Sequence, residues 1–111
     1  MSPYMLVIRA EPSTDNRYYG KIGPSRFHIW VISESISEAE SRSIGYVVIS
    51  GWIPIEIEYE FQITSEQLPH LHKDESALLA KARAHGISAD IIAAPLQEGT
   101  PGDPVMLLPP S

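Results

Sequence analysis

The chain contains no cysteine, which excludes disulfides, a thiolate nucleophile and any zinc or iron–sulfur centre built on sulfur. No stretch approaches the ~18–20 apolar residues of a membrane span. The N-terminus, Met1-Ser2-Pro3-Tyr4, lacks the basic region and long apolar segment of a secretion signal. Cations are scarce as well: 8 Lys and Arg stand against 14 Asp and Glu, for a formal net charge of −6. Affinity for a phosphate backbone comes chiefly from clustered cations, so nucleic acid is not an expected partner. Also missing are a nucleophile elbow of the Gly-x-Ser-x-Gly kind, a phosphate-binding P-loop, a dinucleotide fingerprint and a His-Glu-x-x-His pair. The expectation is a cytoplasmic protein with no cofactor and no membrane partner, and the motifs decide neither for nor against catalysis.

What is present is a 111-residue chain, 43% hydrophobic, which suffices for one domain with its own core. Tyr4 to Ala10 is a compact apolar run rich in strand formers and closed by Glu11-Pro12. Pro12 to Ser25 follows with turn residues at almost every step and reads as a long loop. Arg26 to Ile32 alternates, with Phe27, Ile29 and Val31 on one side and Arg26, His28, Trp30 and Ile32 on the other, which predicts a strand. Ser37 and Glu40 have capping-box spacing, so a helix is expected from about Ser37 until Gly51 and Pro54 stop it. Its inward stripe is Ile36, Ala39, Ser43, Val47 and Ser50.

Ile55 to Ile63 alternates without interruption, Ile55, Ile57, Tyr59, Phe61 and Ile63 against Glu56, Glu58, Glu60 and Gln62. Period two predicts a strand with one buried and one wet face. A second helix is expected from Glu75 to His85, capped near Asp74, and Gly86 ends it. Asp90 to Ala94 reads as a last strand. The expected fold is α+β, a two-layer sandwich in which two helices cover one face of a mixed, mostly antiparallel sheet. A ferredoxin-like arrangement is the nearest familiar description, although the usual central hairpin is missing. Residues 1–95 form this domain. Residues 96–111 are rich in Pro and Gly, yet Val105-Met106-Leu107-Leu108 is apolar enough to predict docking on this subunit or on a partner.

Four groups of residues could carry chemistry. Glu56, Glu58 and Glu60 share one strand face on the alternation rule, and such carboxylates can bind a cation or act as an acid–base pair; a solvated outer face explains them more simply. Arg26, His28, Trp30 and Ile32 on a neighbouring strand would add a polar and aromatic surface, for a ligand or for a second subunit. His70 and His72, two apart, are the weak candidates for a metal, with too few ligands at the right spacing to predict one. The segment from Arg17 to Arg26, including Tyr18, Tyr19 and Lys21, could clamp an anion or a planar ligand.

Charge is also unevenly distributed. Residues 1–33 carry +2, residues 34–66 carry −6 and residues 67–111 carry −2. A mildly basic N-terminal third beside an acidic middle third suggests complementarity within the chain or between subunits. The preferred reading is a homodimeric interaction module with Trp30, Ile32, Val105 and Leu107 at the contact. The alternative is a small-molecule-binding protein or enzyme that uses the open sheet face and the 17–26 loop, with Tyr18, Tyr19, Lys21, Arg26, His28, Trp30, Glu56 and Glu58 as its contacts.

Overall fold

An apolar run without polar interruption cannot present a wet face on either side of a sheet. In a computed structural model, which describes residues 1–95, the run from Tyr4 to Ile8 lies within β1 (Ser2–Pro12). After it come β2 (Ile22–Ser33), α1 (Ile36–Ile49), β3 (Trp52–Gln62), a 3-10 turn at Leu68–His70, α2 (Lys73–His85) and β4 (Ile87–Pro95). The sheet order is β3-β1-β2-β4, and every neighbouring pair is antiparallel. The architecture is thus α+β with an antiparallel sheet, as expected. Both β2 and β3 are antiparallel to β1, so α1 joins two parallel strands that have β1 between them. The segment with Val105 and Leu107 lies outside the described residues.

Two cores form, one on each side of the sheet. Leu6, Ile8, Phe27, Ile29, Val31 and Trp52 pack with Ala39 and Val47 of α1, whereas Met5, Val7, Trp30 and Ile63 pack with Leu79 and Ala82 of α2. Successive strand residues point to opposite faces, so the two helices cover opposite faces. This corrects the expectation that both would lie on one. The reason is in the inner strands: β1 and β2 carry apolar side chains on both sides, and each side must be removed from water. The connection from edge strand β3 to edge strand β4 has to cross the sheet, and α2 makes that crossing over the face that α1 leaves bare.

Element ends follow local chemistry. The α1 cap is Ser35, two residues before the expected one; its hydroxyl accepts from the Glu38 amide at 3.1 Å, and Glu38 in turn accepts from the Glu34 amide at 2.9 Å. Ala39, Ser43 and Val47 of the expected stripe are buried, whereas Ile36 and Ser50, at its two ends, are exposed. At α2 the His72 amide donates to Glu75 at 2.8 Å, and Gly86 ends the helix with φ +91°. The guanidinium of Arg42 ties these parts together by donating to the carbonyls of Ile32 and Gly86. β2 begins at Ile22, so the loop between the first two strands spans only residues 13–21. Its Asn16 amide anchors it to the Gly51 carbonyl at 2.8 Å.

β3 departs most from expectation. Strand pairing begins at Trp52 and runs through Pro54, which an edge strand tolerates because the missing N–H has no ladder partner there. Register against β1 slips twice, between Val7 and Ile8 and between Arg9 and Ala10. Because of the first bulge, Glu58 and Tyr59 both lie over Val7, on the α2 side of the sheet. Beyond it Glu60 opposes Leu6 on the α1 side. The expected common face of Glu56, Glu58 and Glu60 is therefore split, and Tyr59, expected in the core, is 66% exposed.

Two glycines should respond to substitution in opposite directions. A Cβ at Gly86 would meet the Arg42 guanidinium at 2.9 Å and would have to hold a left-handed backbone. Gly45 sits within α1, where a Cβ meets nothing within 4 Å. Gly86→Ala should lower stability in urea by about 1 kcal/mol or more, while Gly45→Ala should raise it by about 0.5–1 kcal/mol. A Gly45→Ala chain that unfolds at lower urea than the wild type would contradict this account of α1.

Candidate functional site

α2 packs on β2 and β4, which leaves uncovered the part of the same face nearest the loop ends of β1 and β3. Val7, Arg26, His28, Glu56, Glu58 and Tyr59 line an open hollow there of about 550 Å³. Four of the expected site residues are thus brought together, although their strands are not adjacent. β1 lies between β2 and β3, and its Arg9 pairs with two glutamates of β3: Nη2 donates to Glu56 at 2.8 Å and Nε lies 3.5 Å from Glu58. Arg26 reaches across β1 to donate through Nε to Glu58 at 2.6 Å. Alternation from Glu56 keeps Glu58 on the face of both guanidinium groups, and the bulge turns Tyr59 to that face as well. On the other side, His28 stands opposite Asp90 of β4 in the register.

The expected complementarity between the basic first third and the acidic middle third is therefore realised within one chain. The hydrogen bond from Arg26, reinforced by the charges of Arg26, Arg9 and His28, holds the Glu58 carboxyl below the usual glutamate range. Glu60 behaves in the opposite way on the far face. A hydrogen bond shared with Glu40 of α1, together with partial desolvation and repulsion, raises its carboxyl above that range.

Other expected site residues fall elsewhere. Trp30 is 3% exposed, because it lies beneath α2 rather than on the open surface, and Ile32 is half-buried against the same core. That corrects the placing of Trp30 on an exposed sheet face; the apolar second face of β1 draws α2 over it. Tyr18 lines a groove with Arg17, Ile49 and Trp52, and Tyr19 lines a cleft with Glu11 and Pro24, so neither borders the Glu58 hollow. Arg17 stacks over the Tyr18 ring at 4.9 Å, and Lys21 is exposed. His70 lines a separate cleft near α2, and His72 is the N-cap of that helix. Among the described residues no three His, Cys, Asp or Glu side chains gather in a way that could hold a metal.

Arg9 and Tyr59 join the site without having been assigned to it from the sequence. Arg9 had a visible signal, since it falls on the same side of β1 as Met5 and Val7. Tyr59 had none, because the bulge that exposes it leaves no mark in an unbroken alternation.

The two shifted carboxyls give opposite pH signatures. Glu58, depressed in the fold, stabilises the protein above its unfolded pKa of roughly 4.3, and that contribution is lost as pH falls through the folded value. Glu60, raised in the fold, adds no cost below roughly 4.3 and destabilises increasingly as pH climbs through its folded value. Arg26→Ala should therefore move the Glu58 carboxyl titration, followed by carbon NMR, up toward the ordinary range. Glu60→Gln should shift the urea midpoint upward near pH 7 and leave it unchanged near pH 3; equal effects at both pH values would rule out the raised Glu60 carboxyl. Comparison with known proteins finds no matching family model, no matching curated protein and no matching solved structure.

Proposed function

We propose that the protein is an interaction module that docks a second copy of its own chain on the open half of the sheet. The observation that carries this reading is the exposure of Tyr59 beside the charge-balanced Arg9, Arg26, Glu56 and Glu58 network. A twofold contact apposes a surface to itself, so the surface has to be self-complementary. In a chain of net charge −6, a patch holding two arginines and two glutamates is one on which two copies do not repel each other. Tyr and Arg are also the side chains that most often dominate binding energy at interfaces, and Phe61 extends the aromatic edge along β3.

A small-molecule reading has one observation in its favour, namely that about 550 Å³ falls within the roughly 300–1,000 Å³ of ligand sites. The hollow is shallow, however, and its arginines and glutamates already bond to one another. A ligand would have to compete with those ion pairs, whereas a second sheet face can extend the network across the contact.

The α1 surface offers the competing apolar patch, since Ile44, Val48 and Ile49 are exposed there without a charge among residues 43–50. Sedimentation velocity at about 50 µM should give twice the 12.3 kDa monomer mass, because a standard interface commonly binds at micromolar strength or better. Tyr59→Glu should weaken the dimer by about 30-fold or more, and salt raised from about 0.05 to 0.5 M should weaken it further. Val48→Glu should leave it intact. A monomer at that concentration, or a dimer lost in Val48→Glu and kept in Tyr59→Glu, would overturn the proposal.

A further inference from the structure

The two edges of the sheet are built differently. The β3 edge carries Glu56, Glu58 and Glu60, the ring of Pro54 and two register slips, all of them devices that keep an edge strand from pairing with another chain. β4, the opposite edge, lacks them from residue 87 to residue 93: its only charge there is Asp90, and the one irregularity of its pairing places the extra residues in β2. Gly86 accepts from the Ile32 amide, so the even-numbered residues of β4 turn their backbone groups toward β2, and Ile87, Ala89, Ile91 and Ala93 turn theirs outward. The Ile91 N–H agrees with that parity, since it donates at 3.1 Å to the neighbouring Asp90 carboxylate. Among the described residues no strand pairs with the outward amide and carbonyl of Ala93 or with the Ile91 carbonyl.

Apolar side chains stand on both faces of the same edge. Ile91, opposite Phe27, is 41% exposed on the α1 side, and Ile92, opposite Arg26, is 51% exposed on the α2 side. α1 packs chiefly on β1, β2 and β3, which leaves Ile91 at the rim of a groove with Ile49 and Trp52. A segment that covers such an edge has to be extended, to meet the backbone, and apolar on both of its faces. Residues 96–111 follow β4 directly and contain one segment of that kind, Val105-Met106-Leu107-Leu108, with Pro104 and Pro109 at its ends. Alternation puts Val105 and Leu107 on one face and Met106 and Leu108 on the other. Proline has no N–H for a ladder, so the two prolines limit the paired stretch to the residues between them. Gly99, Pro101 and Gly102 suit a reversal of the chain, and residues 96–104 are too few for the dozen or more of a parallel crossover. We infer that segment 105–108 returns antiparallel along the outer edge of β4 as a fifth strand, lying over Ile91 and Ile92 and pairing with Ala93. This strand needs no dimer at Tyr59, which belongs to the opposite edge.

Amide exchange and nuclear Overhauser contacts in the full chain test the pairing. The Ala93 N–H should exchange about tenfold or more slowly in the wild type than in a full-length Met106→Pro/Leu107→Pro variant, which cannot form the added strand. The Ser88 and Asp90 amides, which face β2, should keep their rates and so report that the rest of the sheet is intact. In the wild type, protons of residues 105–108 should show Overhauser contacts to those of Ile91, Ile92 and Ala93, a reading that stands even if the double proline disturbs the fold. In a mixture of carbon-13-labelled and unlabelled chains these contacts should arise within one copy. Equal Ala93 exchange in wild type and an intact variant would refute the added strand, as would the absence of those contacts. Contacts found only between labelled and unlabelled chains would assign the edge to a second copy and refute it as well.

Discussion

β1 has a strand on each edge and apolar side chains on each face, and most of the remaining structure answers that double demand. Its edges are satisfied by β2 and β3 and its faces by α1 and α2. A strand buried on every side requires cover from parts of the chain far away in sequence, so the helices are distributed between the faces and are not stacked on one. Ala39 and Ser43 belong to the same solution. Small side chains let α1 lie close over Leu6 and Ile8, at the expense of burying a Ser43 hydroxyl that has no partner among the described residues.

The charged hollow exists because that cover is incomplete. α2 is anchored at one end of its sheet face, through Leu79 and Ala82 against Trp30 and Met5, and it does not reach Arg9 or Arg26. Along β1 the side chains on this face change from Met5 and Val7 to Arg9 as the helix is left behind. β3 supplies the counter-charge, with Glu56 opposite Arg9 and Glu58 two residues further on the same face. The bulge then brings Tyr59 to this face as well; in a straight strand paired from Glu56, Tyr59 would oppose Leu6 on the α1 side. A register irregularity on an edge strand thus sets the aromatic content of the exposed surface.

Much of this was legible in the residues, and the failures have identifiable causes. Element types and order followed from periodicity, caps and turn residues, and Arg26, His28, Glu56 and Glu58 were correctly expected to share a face. The distribution of helices was also written in the sequence, as the unbroken apolar runs Tyr4 to Ile8 and Ile29 to Ile32, which only a doubly covered strand tolerates. Reading Trp30 as exposed came from treating β2 as one-sided. What could not be read was β3, where alternation without a break is equally compatible with a straight strand and a bulged one. Pairing against β1 decides between them, and pairing is not a local property of the chain.

The central place of β1 also has a temporal side. The first two strands can form a hairpin as soon as Ser33 has left the ribosome, but β1 then has a free edge, and both sheet faces are apolar and wet. Its second edge is closed only when β3 is complete at Gln62, and the second face only when α2 follows. For the intervening stretch of synthesis the nascent chain presents the kind of uncovered, sticky strand that recruits chaperones or aggregates. The glutamates of β3 arrive at that edge in the same stroke that seals it, so the residues that keep the finished edge soluble are also those that end the exposure.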